Sequence, residues 1–266
     1  MSKYGGEAAR VFVPNEVVSR NVMRLVVGTQ ILVFVLLWIT MSGRLLPTPT
    51  EVGGAFHRLW FDEGLGQELW TSFTLNLEAL AWTTGISLVL AYLTVVPFMR
   101  PMVAILTKLR YMSMVGFSLA FLVAFGAGHT LKVVMLTFAM SVFFVTSMCD
   151  EISRISKEEF DHARTLRMGE WRTVLEVVVI GRFDVALDVM RQNCAIGWMM
   201  LTMVEVISRS EGGVGVMLFT QNKFFRLDAI VAIQLSILFL ALGQDYVIGF
   251  VKRVLCPHSA LVLERK

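Results

Sequence analysis

Six stretches of this chain run for 13 to 20 residues without an Asp, Glu, Lys or Arg. They are 25–41 (17 residues), 79–98 (20), 111–128 (18), 133–149 (17), 192–204 (13) and 229–244 (16). A membrane-crossing helix needs roughly 20 mostly apolar residues, with about 17 as a lower limit, so four or five of the runs qualify on length. The fifth is short because Asp184, Asp188, Arg191 and Glu205 bound it. A helix over 183–207 would carry those charges at its ends, into water or protein. Six spans is the expected count. The 266 residues are 56% hydrophobic with a mean hydropathy of +0.67, too apolar for an ordinary soluble domain. The expected fold class is an all-α polytopic membrane protein.

The distribution of Lys and Arg sets an orientation. Lys3, Arg10 and Arg20 lie in an N-terminal arm (1–23) with Arg24 directly after it, Arg100, Lys108 and Arg110 after the second run, and Lys252 and Arg253 after the last. Segment 42–70 has two basic residues against four acidic ones, and 127–132 has a single lysine. Both termini and the charged stretch 150–182 are therefore expected in the cytoplasm, with one membrane domain over 24–258 and a short tail, 259–266. Arg44, Lys132 and Lys223 then fall outside as exceptions to the rule. The first apolar run is long and lacks a small-residue cleavage site, so no signal peptide is expected. A net charge of +3 is what basic cytoplasmic loops give and argues against nucleic acid as a partner. Cys149, Cys194 and Cys256 are odd in number and lie in or beside spans, and the four histidines are scattered, so neither a disulfide framework nor a metal set is expected.

Along the chain, Thr before Glu51 predicts a short helix over 51–60, and Pro97 and Pro101 are expected to close the second span. Gly126-Ala127-Gly128 predicts a tight turn between spans three and four. Glycines 212, 213 and 215 permit a sharp turn after the fifth, where Val214 and 217–219 are apolar enough to dip into the membrane. Glu78 and Glu205 lie near the outer ends of their spans, where a long side chain reaches the interface cheaply. Asp184, Asp188 and Arg191 fit helix neighbours that satisfy one another, and Asp245 fits capping or pairing on the Lys252 side. Small residues (Gly85, Ser87, Ala91, Gly116, Ser118) allow close helix packing, possible also between two copies. No Gly-rich phosphate loop and no nucleophile–base pair can be drawn, so no enzyme activity is expected of the chain and no cofactor of its own.

The charges are concentrated in one place. Segment 150–182 holds seven acidic and six basic residues between two apolar runs. Ser156 followed by Glu159 is a capping-box start, and Phe160, Ala163 and Leu166 recur at helical spacing. Gly169 is expected to stop that helix, and Trp171, Leu175, Val178 and Val179 resume the period until Gly181. Two short amphipathic helices at an angle, held at the water boundary, suit a docking elbow.

Asp161-His162-Ala163-Arg164-Thr165-Leu166, then Trp171 and the apolar run to Ile180-Gly181, resembles the EAA loop of bacterial ABC importer permeases of the nitrate/sulfonate/taurine/bicarbonate group. Arg191, Gly197-Trp198 and Glu205 look like that group's fifth span, and Glu211-Gly212-Gly213-Val214-Gly215 resembles its glycine loop. Asp228, Gly243, Asp245, Lys252-Arg253 and Pro257 match its final helix and exit. The likeness spans roughly 70–258 and is specific from about 150 onward. The loop is divergent: its acid and first alanine are Asp161 and His162 here, its glycine is Arg167, and its closing Leu-Pro is Ile180-Gly181.

The resemblance implies a type I ABC importer permease-like fold in the bacterial cytoplasmic membrane. Two copies would form the translocation pathway, each on a cytoplasmic ATPase that carries the ATP and magnesium, with an extracytoplasmic binding protein delivering a small anion or organic solute. Coupling to the ATPase would fall to Phe160, Asp161, Ala163, Arg164, Leu166, Arg167, Met168, Gly169 and Trp171. Of these, Phe160, Leu166, Met168 and Trp171 supply apolar knobs, while Asp161, Arg164 and Arg167, with Arg172, supply rim charges. The pathway candidates are Asn193, Met199, Met200, Met203 and Glu205. An ion-coupled secondary transporter and a non-transporting membrane scaffold are the alternatives. The first predicts broken spans and paired charges at mid-bilayer, and neither accounts for a charged double helix between spans four and five.

Overall fold

The structure is a computed structural model and describes residues 19–41 and 47–257. Lys3 and Arg10 of the arm, Arg44 and the tail 259–266 lie outside the described residues. All regular structure in the described residues is helical. In order come α1 (Arg20–Met41), α2 (Pro49–Phe61), α3 (Leu65–Leu93), α4 (Arg100–Lys108) and α5 (Met114–Phe125). Then follow α6 (His129–Ser153), α7 (Lys157–Thr165), α8 (Glu170–Thr173, running on as a π-helical stretch Val174–Ile180), α9 (Phe183–Ile207), α10 (Val214–Lys223) and α11 (Leu227–Leu255).

Four helices, α1, α3, α6 and α11, are long and apolar enough to cross a membrane, and a fifth crossing is obtained if α4 and α5 are taken as one bent span. Helix α9 has 25 residues, but Asp184, Asp188, Arg191 and Glu205 keep it out of that class. Burial ranks the helices from centre to rim. In the most apolar window, 72% of α6 is buried, against 33% for α3 and for α11 and 6% for α1. Helix α6 is therefore the axis, with α3 and α9 packed on it. Helix α1 touches the body at its far end, where Trp38 Nε1 donates to the Pro47 carbonyl at 3.0 Å.

The α3–α6 seam is built from small and hydroxylated residues. Ala79, Thr83, Ser87 and Ala91 are fully buried, and Thr83 and Ser87 donate across to the Thr137 and Ser141 carbonyls at 3.4 and 3.5 Å. Such residues let two backbones approach closely. Gly85 and Gly116, read from the sequence as packing positions, face open space instead.

Two boundaries differ from expectation. The second span starts 14 residues early, at Leu65, and ends at Leu93; Pro101 does not close it but sits in the first turn of α4, where its missing N–H costs nothing. The predicted third span is broken. Helix α5 covers only 12 residues, about 18 Å at the α-helical rise, and is bent 114° from the Arg100–Tyr111 segment. The break falls at Met112 and Ser113, both extended, with Ser113 a favourable residue to start the next helix. Elsewhere the local rules hold. Thr48 and Glu51 form a capping box at the start of α2, and the chain turns at Gly126-Ala127-Gly128.

Candidate functional site

Helix α9 joins two polar regions, the elbow at its start and the glycine loop at its end. In the elbow, the Ser156 hydroxyl accepts from the Glu159 N–H at 3.3 Å and the Glu159 carboxylate accepts from the Ser156 N–H at 3.4 Å. The capping box starts α7 as the sequence predicts. The helix ends earlier than Gly169. The chain reverses at Arg167, whose φ of +56° lies in the left-handed region and whose N–H donates to the Arg164 carbonyl at 2.9 Å. Gly169 is extended (φ −66°, ψ 155°) and opens α8, so it is a start and not a stop. An arginine holds this left-handed position at a modest backbone cost.

Ala163 is buried under the elbow, and Arg182 clamps Glu159 at 2.8 and 3.1 Å, tying α7 to the start of α9. Arg164 bridges Glu170 and Asp161, each at 3.3 Å. The Glu170 hydrogen bond, reinforced by its charge, raises the pKa of the fully exposed Arg164 guanidinium. Two of the predicted rim charges, Asp161 and Arg164, are therefore already engaged within the elbow. Arg167 and Arg172 have no ion-pair partner among the described residues. Of the apolar knobs, Trp171 is 75% and Leu166 59% exposed, while Phe160 and Met168 are half-buried. The π-helical stretch closes at Gly181, whose N–H reaches back five residues to the Glu176 carbonyl at 2.9 Å. A Cβ on Gly181 would lie 2.6 Å from the Val177 carbonyl oxygen, which explains glycine there.

At the other end of α9 the polar groups are internal. Glu205 is fully buried; it does not reach for the interface. One oxygen accepts from the Ser72 hydroxyl at 2.5 Å and the other from the Gly215 N–H at 2.6 Å. Ser72 in turn accepts from the Val214 N–H at 2.9 Å, and Glu68 accepts from the Gly213 N–H. Three side chains thus take the N–H groups that the start of α10 leaves unpaired, with negative charge placed at the positive end of the helix. Gly212 (φ +70°) and Gly213 (φ +113°) make the turn, and a side chain at Gly213 or Gly215 would collide with Glu205. Lys132, 1% exposed, donates to the Gly212 carbonyl at 2.9 Å from α6. His129 links Glu78 (2.8 Å) and Glu211 (3.5 Å) at the rim.

Between these ends lies an amide cluster. Gln244 Oε1 accepts from Trp198 Nε1 at 2.8 Å and from Asn76 Nδ2 at 3.4 Å, with Gly197 packed against Asn76. Asn76 Oδ1, Gln244 Nε2 and Asn193 Oδ1 are buried without a partner. Toward the elbow, Arg191 pairs with Asp245 at 2.5 and 2.6 Å and Lys252 with Asp188 at 2.5 Å. The expected self-satisfied cluster on α9 is therefore a set of cross-links to α11, and Asp245 pairs with Arg191 instead of the Lys252 side. Helical geometry allows both; the antiparallel neighbour offers opposite charge at better reach.

The five pathway candidates do not share one surface. Asn193 and Glu205 face the interior, Met200 is half-buried, and Met199 (71% exposed) and Met203 face outward. Sequence reasoning missed Ser72, Glu68 and Lys132. The first two had a signal: Glu68, Ser72 and Asn76 recur every fourth residue, a polar stripe on an otherwise apolar helix. Lys132 had none, since one lysine beside a glycine turn reads as a loop charge. Among the described residues no group of three or more His, Cys, Asp or Glu side chains is placed to hold a metal ion. Compared with known proteins, the chain matches no protein-family model, and no curated protein matches it either.

Proposed function

We propose that this chain is the membrane-spanning subunit of an ATP-driven importer of the ABC type, worked by a cytoplasmic ATPase that grips the elbow. The observation that carries the proposal is the elbow's division of labour. Its charges are mostly spent on holding its own shape, while Trp171 and Leu166 stand exposed beside Arg167 and Arg172, which pair with no described residue. An aromatic and an aliphatic knob with a cationic rim, on a rigid support, is the composition of a protein-binding hot spot. The left-handed turn at Arg167, where the resembled loop carries glycine, adds to the same reading.

In this reading α4 with α5 and α9 complete six spans, with the elbow and both termini in the cytoplasm of a bacterial inner membrane. Helix α9 leads directly from the elbow into the bundle, so a push on the elbow is delivered to that helix. Its outward stripe, Gln192, Ala195, Met199 and Met203, is left exposed by the described residues and would face the pathway shared with a second copy. A binding protein would present the solute at the glycine-loop end. The break at Met112 and Ser113 is a feature an ion-coupled carrier also predicts, but such a carrier would want a carboxylate free to change partners; Glu205, held by Ser72 and Gly215, favours the importer.

The test is co-purification and uptake. With the full chain co-expressed with its ATPase, Trp171→Glu or Leu166→Asp is expected to abolish ATPase capture and solute uptake while the melting temperature stays that of the parent. Capture of the ATPase undiminished by both changes would refute the docking role.

A further inference from the structure

A second binding site lies at the elbow end, away from the elbow itself. Helix α4 follows the end of α3 and faces the last turns of α6. A cleft of about 450 Å³ opens between them. Arg100, Lys108 and Arg110 line it, and Asp150 is the one acid among its described lining residues. Each cation is accounted for without a carboxylate. Arg100 donates to the Thr94 carbonyl at 3.0 Å, Arg110 donates to the Tyr111 hydroxyl at 2.9 Å and stacks over its ring, and Lys108 has no ion-pair partner among the described residues. The cleft therefore carries three cations against one carboxylate, and no described residue forms an ion pair with any of the three.

It opens where the apolar part of α3 ends and where α6 passes from Thr146 and Cys149 to Asp150. In a chain whose apolar helices cross a bilayer, such a change from apolar to charged residues belongs at the boundary between hydrocarbon and headgroups. Val103, Ala104 and Cys149 give the cleft an apolar part, and Tyr111, 76% exposed, also lines it. Basic groups beside apolar ones, in a chain with helices long and apolar enough to cross a membrane, match an amphiphile with a negative head. The neutral polar groups narrow the choice. The hydroxyls of Thr94, Thr107 and Thr146 all donate back into their own helices, at 2.5, 3.0 and 2.7 Å, so each offers its oxygen only as an acceptor. With Asp150 they suit hydroxyl donors next to a phosphate.

We propose that this cleft holds the headgroup of an anionic glycerophospholipid bearing free hydroxyls, the phosphate taken by Lys108, Arg110 and Arg100 and the apolar stem meeting Val103, Ala104 and Tyr111. The site is independent of the importer reading and needs only that the chain sit in a bilayer. Phosphatidylglycerol is the probe.

The full chain is placed in nanodiscs of equal phosphatidylglycerol and phosphatidylcholine, released into the gas phase, and its retained lipids are weighed. Phosphatidylglycerol is expected to be retained in preference to phosphatidylcholine. Each cation removed near a membrane surface weakens anionic lipid binding about fivefold, so Lys108→Gln should cost about fivefold and Lys108→Gln with Arg110→Gln about twenty-five-fold. Should the double variant misfold, Lys108→Gln alone carries the test, since that side chain is exposed and supports no other residue. Equal retention of phosphatidylcholine overturns the proposal, as does wild-type retention in a folded variant. Displacement of the lipid by soluble glycerol phosphate at the same concentration also overturns it, because the site would then read a free phosphate and not a lipid.

Discussion

The two ends of α9 use similar residues to opposite purposes. At the glycine-loop end, Glu205, Ser72 and Lys132 are almost wholly buried, and each meets a backbone group of the loop that follows. At the elbow end, Arg164, Glu170 and Asp161 are exposed and pair with one another, leaving Trp171 and Leu166 uncovered. A buried polar group is costly unless satisfied, so the first region is committed to one arrangement. The second has exposed ion pairs of small individual worth and an uncovered apolar knob, which leaves it free to gain from a partner. One end holds the fold and the other is available for work.

That contrast can be broken most sharply at Glu205. Glu205→Ala strips the acceptor from Ser72 and Gly215 in a dry site, and is expected to cost about 3–5 kcal/mol, read as loss of folded protein or a large fall in thermal stability in detergent. A variant of parental stability that loses only uptake would move Glu205 from the scaffold to the pathway. Next comes Trp171→Glu, expected to remove about 2–4 kcal/mol of affinity for the proposed ATPase partner, measured by titration, with no change in unfolding. Lys132→Met keeps the stem and loses the hydrogen bond to Gly212, for about 1.5–3 kcal/mol of stability. The smallest effect belongs to Arg191→Gln. Its pair with Asp245 has good geometry but both side chains are 39–45% exposed, so about 0.5–1 kcal/mol is expected in a double-mutant cycle with Asp245→Asn.

What could be read from the sequence follows the range of the forces involved. Capping at Ser156/Glu159 and Thr48/Glu51 is settled within four residues, and both boxes form. The long apolar runs give α1, α3, α6 and α11 because burial or a bilayer leaves them little alternative to helix. The run 111–128 reads as one straight span because hydropathy is blind to backbone, whereas Met112 and Ser113 are extended and leave a helix of 12 residues, Met114–Phe125. The pairing of Asp188 and Arg191 was misassigned because a helix supplies neighbours at fixed spacing, whereas Lys252 and Asp245 come from a helix about 50 residues or more away in the chain. Lys132 was passed over for the same reason; its partner, the Gly212 carbonyl, is 80 positions distant. Of the elbow's residues, the helical spacing placed Ala163 inward and Leu166 and Trp171 outward only once the turn at Arg167 is known, and arginine gives no hint of a left-handed backbone.

The π-helical stretch Val174–Ile180 sets the angular phase between lever and shaft. A wide turn accommodates an extra residue relative to an α-helix, and each residue gained or lost there swings everything upstream by about 100° around the axis. The direction in which Trp171 points is therefore fixed by how many peptide units this joint contains, and retuning the joint by a single unit would aim the knob at a different quadrant while leaving both helices intact.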